Sequence, residues 1–326
     1  MSLTIPTQQT AAIVRFLGAP VEYVTDHPVP KIKPTEVLAK VLYSGVCQSD
    51  LHTKEGTAGG ADGQNITNIK LPHIGGHEGV GRVMVVGDAV KGVKQDALVG
   101  IRFEYIALDG DNLTILPDDV DPVTIGPVLC AGVTAYKCVK SCQNNPGEWM
   151  VIIGAAGGMG HLAIQYAKVM GARVIAIDGG EVKKDLCLSL GAEHYIDFLK
   201  SDTVNEVLQL TSTGAHSVVC TSGNAKAYAS AAEMLRVGGT LACGGIPPGT
   251  PPIETSIGKI VIKGLKIVGC LVGSLKETLE AVELTRLGMV KPIVEVRDWK
   301  EISQVYEDLQ KDRIKGRVVV KVAREP

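Results

Sequence analysis

Three separate segments of the chain contain side chains that bind transition metals. They are Gly45-Val-Cys47-Gln-Ser-Asp50, Gly75-Gly-His77-Glu-Gly79 and Leu129-Cys130-Ala-Gly-Val-Thr134. Thiolate and imidazole are ligands that suit zinc, so Cys47, His77 and Cys130 are a candidate ligand set. Their separation along the chain is wide, and spacing alone proves no site. Taken singly, Cys130 fits a buried core residue and His77 fits a loop histidine.

A glycine-rich segment follows a short apolar run in the middle of the chain. It reads Met150-Val-Ile-Ile-Gly154-Ala-Ala-Gly157-Gly158-Met-Gly160, and the next apolar residues repeat at helical spacing. Glycines allow a tight turn that approaches a pyrophosphate closely, and the start of the following helix attracts the anion. The segment therefore predicts a dinucleotide site, with a plain tight turn as the alternative.

Asp178 ends the next apolar run, Arg173-Val-Ile-Ala-Ile-Asp178, about 20 residues beyond the glycines, where a ribose-binding carboxylate is expected. A carboxylate there accepts hydrogen bonds from the ribose hydroxyls and repels a 2′-phosphate, so NAD is predicted in preference to NADP. Lys183 could reach the same hydroxyls. The alternatives are that Asp178 caps the next helix and that Lys183 is a solvated surface residue.

The elements that must position these residues show two different secondary-structure patterns along the chain. Residues 11 to about 110 alternate short β-rich runs with Gly and Pro, which predicts irregular, mostly antiparallel strands. From Trp149 the pattern becomes repeated strand-then-helix units, which predicts a parallel, doubly wound sheet. The predicted domains are residues 1–146 and 147–287, with 288–326 returning to the first domain.

Composition limits the function classes. The chain has 326 residues, 45% of them hydrophobic and 21% charged, which fits two compact domains. A net charge of −2 without any basic tract disfavours nucleic acid as a partner. The opening residues do not resemble a signal peptide, and no run of eighteen apolar residues occurs. Eight scattered cysteines do not form a disulfide scaffold. We expect a cytoplasmic protein that does not bind membranes.

Five sequence runs together resemble the zinc-containing medium-chain alcohol dehydrogenases, especially the fungal ethanol-dehydrogenase branch. The runs are GVCQSDLH, LPHIGGHEGVG, VLCAGVTAYK, GAAGGMGHLAIQYAKVMGARVIAIDGGEVK and KGRVVV, and the likeness extends from about Ala11 to Val322. The resemblance implies an α/β fold in which a doubly wound (Rossmann) NAD-binding domain accompanies a mostly β, GroES-like catalytic domain. It also implies hydride transfer between NAD(H) and an alcohol, aldehyde or ketone.

The resemblance implies a role for each matching residue around the metal. Cys47, His77 and Cys130 would be the ligands of one catalytic zinc. Asp50 would accept a hydrogen bond from the His77 ring, and Glu78 would lie behind the metal as an alternative ligand. Such a three-ligand site leaves a fourth position for substrate, where the cation favours loss of the alcohol proton.

The resemblance also implies a path for the proton and contacts for the cofactor. Ser49 would take the alcohol proton and pass it through the cofactor ribose to His52. Arg317 would approach the pyrophosphate. The remaining cofactor-binding residues would be those derived above: Gly154, Gly157, Gly158, Gly160, Asp178 and Lys183.

The chain departs from the family at the lobe that normally holds a structural zinc. Relatives insert a four-cysteine lobe between two patterns that correspond here to Gln95–Gly100 and Phe103–Ile106, which only Ile101 and Arg102 separate. We therefore expect a single zinc. The lobe also forms a wall of the substrate pocket, and Ala58 stands where fungal relatives commonly have tryptophan. Both changes predict a substrate bulkier than ethanol.

Three functions remain open at this stage. The first is an active zinc alcohol dehydrogenase or carbonyl reductase, which the retained Ser49, His52 and ligand set favour. The second is another reaction on the same scaffold, such as enone reduction or a non-redox step. The third is NAD binding without catalysis. A homodimer or homotetramer is expected in each case.

Overall fold

A computed structural model describes residues 5–60, 63–66, 68–101, 107–110, 113–248 and 252–323. Its strands are β1 (Gln8–Ile13), β2 (Glu22–Pro28), β3 (Glu36–Val46), β4 (Glu78–Val86), β5 (Leu98–Ile101), β6 (Ala107–Asp109), β7 (Thr114–Ile115), β8 (Trp149–Ile153), β9 (Arg173–Asp178), β10 (His194–Asp197), β11 (Ala215–Cys220), β12 (Leu235–Cys243), β13 (Lys266–Gly269), β14 (Val294–Asp298) and β15 (Arg317–Lys321).

The helices are α1 (Gln48–Glu55), α2 (Pro122–Pro127), α3 (Val133–Ser141), α4 (Gly160–Val169), α5 (Glu181–Ser189), α6 (Thr203–Thr211), α7 (Ala225–Ala231), α8 (Ile257–Lys263), α9 (Leu275–Arg286) and α10 (Ile302–Gln310). A π-helical turn, Val128–Gly132, joins α2 to α3, and a 3-10 turn, Trp299–Glu301, precedes α10.

The chain divides into two compact units. The β-rich unit comprises Met1–Ala58, Asn65–Cys130 and Val294–Pro326, and the parallel-sheet unit comprises Gly59–Gln64 and Ala131–Ile293. The predicted boundary after residue 146 would assign α3 to the first domain. In the structure α3 belongs to the parallel-sheet unit, where Tyr136 packs edge-to-face on Tyr166 of α4 with 5.4 Å between ring centroids.

A mixed sheet forms the framework of the β-rich unit. Its strand order is β14-β15-β3-β4-β5-β7, with β6 paired to β3, and every pair except β14-β15 is antiparallel. Buried aliphatic residues of β3, β4 and β5 form one core cluster, and residues of α1, α10 and β15 form another. β3 also leads directly into Cys47, so the sheet fixes the start of the candidate metal site.

The parallel-sheet unit has the strand order β10-β9-β8-β11-β12-β13, with all pairs parallel. Counted from β8, this is the order 3-2-1-4-5-6 of a dinucleotide-binding fold, whose order reverses between its first and fourth strands. The predicted doubly wound sheet is confirmed. Its central strands are buried on both faces, which explains their continuous apolar sequences.

The helical run Pro122–Ser141 begins at a well-defined cap. The Asp121 carboxylate accepts hydrogen bonds from the N–H groups of Val123 (3.1 Å) and Thr124 (3.3 Å), and Pro122 occupies the first helical position. Within the described part of the chain, this run is the one helix long and apolar enough to span a membrane, but 72% of its most apolar window is buried in the protein. Its composition therefore fits a core helix.

Candidate metal centre and nucleotide site

The carboxylate of Asp50, on the first turn of α1, joins two of the predicted metal-binding segments. One of its oxygens accepts a hydrogen bond from the backbone N–H of Cys47 at 2.9 Å. The other accepts from the N–H of Gly76 at 3.0 Å and lies 2.8 Å from Nδ1 of His77. Because Asp50 is buried, these contacts fix the backbone of both segments and the plane of the imidazole ring.

His77 lies between Asp50 and Cys130. With Nδ1 facing the carboxylate, its Nε2 lies 3.1 Å from Sγ of Cys130. Cys130 is the central residue of the π-helical turn between α2 and α3. Such turns interrupt regular helices and are frequent at functional sites, and here the turn contains a predicted ligand.

The ligand atoms of Cys47, His77, Glu78 and Cys130 all lie within 4.8 Å of one another. Two sulfurs and one imidazole nitrogen match the donor set of a catalytic zinc site. The Oε2 atom of Glu78 is buried and has no hydrogen-bond partner among the described residues, which is costly unless a cation or water satisfies it. These residues therefore fit a zinc ion, with Glu78 as an additional oxygen ligand.

The electrostatics of these four side chains also favour a cation. Contact with Cys130 lowers the pKa of Cys47 well below that of an ordinary thiol, while the same contact raises the pKa of Cys130. Burial opposes a charged imidazole, but the Asp50 carboxylate and Cys47 raise the pKa of His77 to about 11. A bound metal would displace these protons and satisfy the crowded donors.

Glu78 forms a buried ion pair with Arg317, the first residue of β15. Burial raises the pKa of the Glu78 carboxyl to about 7, although the Arg317 guanidinium opposes the shift. Gly45 makes room for this pair, because a Cβ at that position would collide with the Glu78 side chain. The structure thus places Arg317 beside the metal ligands, and its contact with a pyrophosphate stays a prediction.

Ser49 and His52 follow Cys47 on α1. The Cys47 thiol donates to Oγ of Ser49 at 3.6 Å, so the serine hydroxyl lies beside a predicted zinc ligand. His52 is half-buried, with its Nδ1 3.1 Å from Oγ1 of Thr57, and burial lowers its pKa. Their geometry is compatible with the predicted proton path, which stays a prediction.

Ala58 is half-buried, and its carbonyl accepts a hydrogen bond from the N–H of Ile66 at 2.8 Å. Its role as a wall of the substrate pocket stays a prediction. The connection in which the structural-zinc lobe is predicted to be missing begins after Ile101, and its residues 102–106 lie outside the described part of the chain.

The glycine-rich segment forms a tight turn between β8 and α4. Gly154 has a φ of +77°, and a Cβ there would meet Oγ1 of Thr221 at 2.9 Å. A Cβ on Gly160 would collide with the backbone of Gly154 and Ala155, so α4 can start here only with glycine. Gly157 donates its N–H to the carbonyl of Gly154 at 3.2 Å, and Gly158 completes the turn before α4.

Asp178 ends β9 beside this turn. Its carboxylate accepts from the N–H groups of Ala156 (2.9 Å) and Gly179 (2.8 Å) and pairs with Nζ of Lys183 at 3.0 Å. Turn, carboxylate and lysine, predicted separately, therefore lie together at the carboxyl edge of the sheet, where this fold binds nucleotides. The predicted contacts of Asp178 and Lys183 with a ribose stay predictions.

Two supporting residues were not predicted. Gly45 provides space for Glu78, and Thr221 donates its hydroxyl to the carbonyls of Ile153 (2.8 Å) and Gly154 (3.1 Å) at the turn. The position of Thr221 directly after the fourth parallel strand was the available sequence signal. Gly45 gave a weaker one, as a glycine inside a strand often marks a close approach by another group.

Comparisons with known proteins agree with this geometry. A family model described as "Alcohol dehydrogenase GroES-like domain" matches residues 33–114, and one described as "Zinc-binding dehydrogenase" matches residues 158–286. The chain is 34% identical to an alcohol dehydrogenase of Schizosaccharomyces pombe, over 99% of this chain and all of the relative. It is 37% identical to an alcohol dehydrogenase of Geobacillus stearothermophilus, over 91% of this chain and 94% of the relative.

Among solved structures, the chain is similar to the alcohol dehydrogenase of the archaeon Aeropyrum pernix. The TM-score is 0.85 at 27% identity, over 96% of this chain and all of that one. The alignment with the S. pombe enzyme spans 359 positions, more than the 326 residues here, so that relative has residues without a counterpart in this chain. The two cofactors predicted from the sequence, zinc and NAD, agree with these family and structure matches. The chain belongs to the zinc-containing medium-chain alcohol dehydrogenase family, with a GroES-like domain beside a Rossmann domain.

Proposed function

We propose that the chain interconverts alcohols and their aldehydes or ketones with NAD(H) and one catalytic zinc. The observation that carries the proposal is the convergence of Cys47, His77 and Cys130 beside Glu78, whose buried oxygen lacks a partner among the described residues. A zinc ion held by these residues would supply a Lewis acid that favours loss of the alcohol proton or polarises a carbonyl. NAD(H) would accept or supply the hydride.

The protein's own groups would orient and move the proton. Asp50 holds the His77 ring by Nδ1, which directs Nε2 toward the ligand cluster. Ser49, in contact with Cys47, would accept a hydrogen bond from an alcohol bound at the cluster. His52, three residues further along α1, would be the final acceptor of the proton, which its ring would release to solvent.

We also propose a substrate bulkier than ethanol. Ala58 offers little contact area where fungal relatives commonly have tryptophan, and the connection after Ile101 is too short to hold the lobe that forms another wall. A small alcohol in a wide pocket loses apolar contact and is poorly oriented, whereas a larger one restores burial worth about 25 cal/mol per Å².

Metal analysis and a substrate panel test the proposal together. Elemental analysis of purified protein should find one zinc per chain, and NAD-linked turnover should be faster with cyclohexanol or benzyl alcohol than with ethanol. Cys47→Ala should lose both zinc and turnover while NAD affinity stays within a few-fold. Cys142→Ala, which removes a buried thiol of the parallel-sheet unit, should retain both.

Other outcomes would contradict specific parts of the proposal. Two tightly bound zincs would contradict the loss of the structural site. Zinc binding with NADH oxidation only on conjugated enones would favour double-bond reduction, and NAD binding without turnover would favour a non-catalytic role.

A subunit interface at the edge of the parallel sheet is a further part of the proposal. β13 is an edge strand, and α8 before it exposes Ile257 (74%), Val261 (71%) and Ile262 (84%). So many exposed aliphatic side chains on one short helix suit burial against a second copy. Light scattering should give a dimer or tetramer, and Ile262→Glu should dissociate it. A monomeric parent protein would contradict this part.

A further inference from the structure

Three neighbouring strands of the parallel sheet lead to cysteines at their carboxyl ends. β11 ends at Cys220, β12 ends at Cys243 in register with it, and Cys270 directly follows β13. The N–H of Cys270 donates to the carbonyl of Cys243 at 2.9 Å. In this fold the carboxyl edge of the sheet is where nucleotides bind, so these thiols lie at the functional edge of the unit.

A fourth cysteine approaches this row from α3. Cys138 is fully buried, and its Sγ packs so closely on the backbone after β12 that a Cβ at Gly244 would lie 2.8 Å from it. The thiols of Cys138 and Cys270 are close enough to shift each other's pKa in opposite directions. The Cys270 thiol also lies 3.8 Å from Oγ of Ser141, one helical turn further along α3.

The chemistry of the cluster favours a two-sulfur reaction over metal binding. Within the residues that the structure describes, the cluster of Cys47, His77, Glu78 and Cys130 is the single group of three or more side chains close enough to share a metal ion. Cys138 and Cys270 therefore form a pair rather than part of a metal site. Two neighbouring thiols are the reactants of a disulfide.

The two thiols differ in reactivity. The neighbouring Cys138 thiol, the Ser141 hydroxyl and the charge of Lys137 lower the pKa of Cys270 to about 6. Contact with Cys270 and burial raise that of Cys138 above the range of an ordinary thiol. Cys270 is 5% exposed and precedes Leu271, which is 72% exposed, so it lies directly beneath the surface. In a reaction between the two thiols, Cys270 would therefore attack and Cys138 would resolve.

We propose that Cys138 and Cys270 form a reversible disulfide when the protein meets hydrogen peroxide, and that the disulfide weakens NAD binding. In the first step the sulfur of Cys270 attacks one peroxide oxygen, the O–O bond breaks, and water leaves, which creates a sulfenic acid. In the second step the sulfur of Cys138 displaces that oxygen as a second water and forms the S–S bond. Two thiols lose two electrons, and one peroxide becomes two waters.

The effect on the cofactor follows from the position of the bond. It would tie α3 to the segment after β13, where Val272 already has a φ of +49°, an unfavourable conformation for a β-branched residue. That segment lies at the nucleotide-binding edge and would lose its freedom to adjust to a bound NAD. This half of the proposal rests on the proposed function, whereas disulfide formation does not.

Peptide mapping of zinc-loaded protein treated with hydrogen peroxide tests the bond. Alkylation and mass spectrometry should detect a Cys138–Cys270 cross-linked peptide that dithiothreitol removes. In Cys138→Ala, Cys270 should instead accumulate as sulfenic acid, trapped with dimedone, and Cys142→Ala should form the cross-link like the parent. Two results with the parent protein alone would overturn the proposal: no Cys138–Cys270 peptide, or a Cys138–Cys142 peptide in equal yield. Neither result depends on whether the variants fold.

Calorimetry with NAD tests the consequence without using turnover, which oxidation of the zinc ligands would also reduce. The oxidised parent should bind NAD roughly tenfold more weakly than the reduced parent, and Cys138→Ala should be insensitive to peroxide. A cross-linked protein with unchanged NAD affinity would overturn the regulatory half. A reduced protein that does not bind NAD at all would instead contradict the proposed function.

Discussion

The carboxylate of Asp178 accepts a hydrogen bond from the backbone N–H of Ala156 at 2.9 Å, and this contact ties the end of β9 to the glycine-rich turn 22 residues earlier. A residue predicted to recognise a ribose thus also holds the shape of the turn that would bind the pyrophosphate. Cofactor recognition and local stability are therefore coupled at one side chain.

Replacement of Asp178 separates these two roles. Asp178→Asn keeps an oxygen acceptor but loses the charge that repels a 2′-phosphate, so the preference for NAD over NADP should narrow by about 1–3 kcal/mol in kcat/KM. Asp178→Ala should narrow the cofactor preference by a similar amount. This variant should also have a lower free energy of unfolding, since buried N–H groups lose their acceptor. Equal use of both cofactors by the parent would show that Asp178 does not face the ribose.

Loss of Arg317 should destabilise the β-rich unit. Arg317→Met would leave Glu78 buried without its charged partner, which costs about 3–5 kcal/mol in comparable buried pairs. Urea unfolding of metal-free protein measures the change. Lys311→Met, which breaks an exposed ion pair with Glu307, is the matched control and should leave the unfolding free energy nearly unchanged.

The double variant Glu78→Gln/Arg317→Met checks the cause of that loss. Without the buried charge, it should recover much of the stability that Arg317→Met loses. A double variant as unstable as Arg317→Met would indicate that the arginine stabilises the protein mainly through packing.

Asp50→Asn should weaken zinc binding while the three ligands stay in place. The neutral amide cannot satisfy the N–H groups of Cys47 and Gly76 and also receive the Nδ1 proton of His77, so the ring loses its fixed orientation. Zinc affinity should fall roughly 10- to 100-fold in a chelator competition. Asp202→Asn, at the start of α6 in the other unit, should leave zinc affinity as it is.

Enlarging residue 58 tests the wide pocket. Ala58→Trp should reduce kcat/KM for cyclohexanol and benzyl alcohol more than for ethanol, because it refills apolar space near the substrate. Ala58→Val should give an intermediate shift, since the effect should follow side-chain volume. A parent enzyme that already prefers ethanol would refute the open-pocket argument.

Prediction from sequence succeeded where the signal was local. The strand, turn, helix and second strand around Gly154 and Asp178 follow one another within about thirty residues, and each has its own pattern. The parallel, doubly wound sheet followed from the repetition of such units, whereas its strand order came only from the structure. The sequence predicts one of these strands only over Thr240–Cys243, whereas β12 begins at Leu235, because Gly238 and Gly239 conceal its start.

The metal cluster lacks such a local signal. Cys47, His77 and Cys130 lie in different segments, and only the resemblance to a family indicated that they meet. The Glu78–Arg317 pair joins residues 239 positions apart, which no periodicity could reveal. The sequence also predicts a strand from Val99 to Leu108, of which the structure shows β5 and β6; residues 102–106 lie outside its described part.

The π-helical turn around Cys130 makes the metal centre sensitive to the length of the chain as well as to its composition. Successive residues of a helix are rotated by roughly 100° about its axis. Deleting one residue between the Asp121 cap and Cys130 would therefore turn the thiol away from His77, although every ligand would still be present. An insertion there would turn it the opposite way. Deleting or inserting one residue in this short stretch should therefore impair metal binding as much as loss of Cys130 itself. The same change in a surface loop should be tolerated.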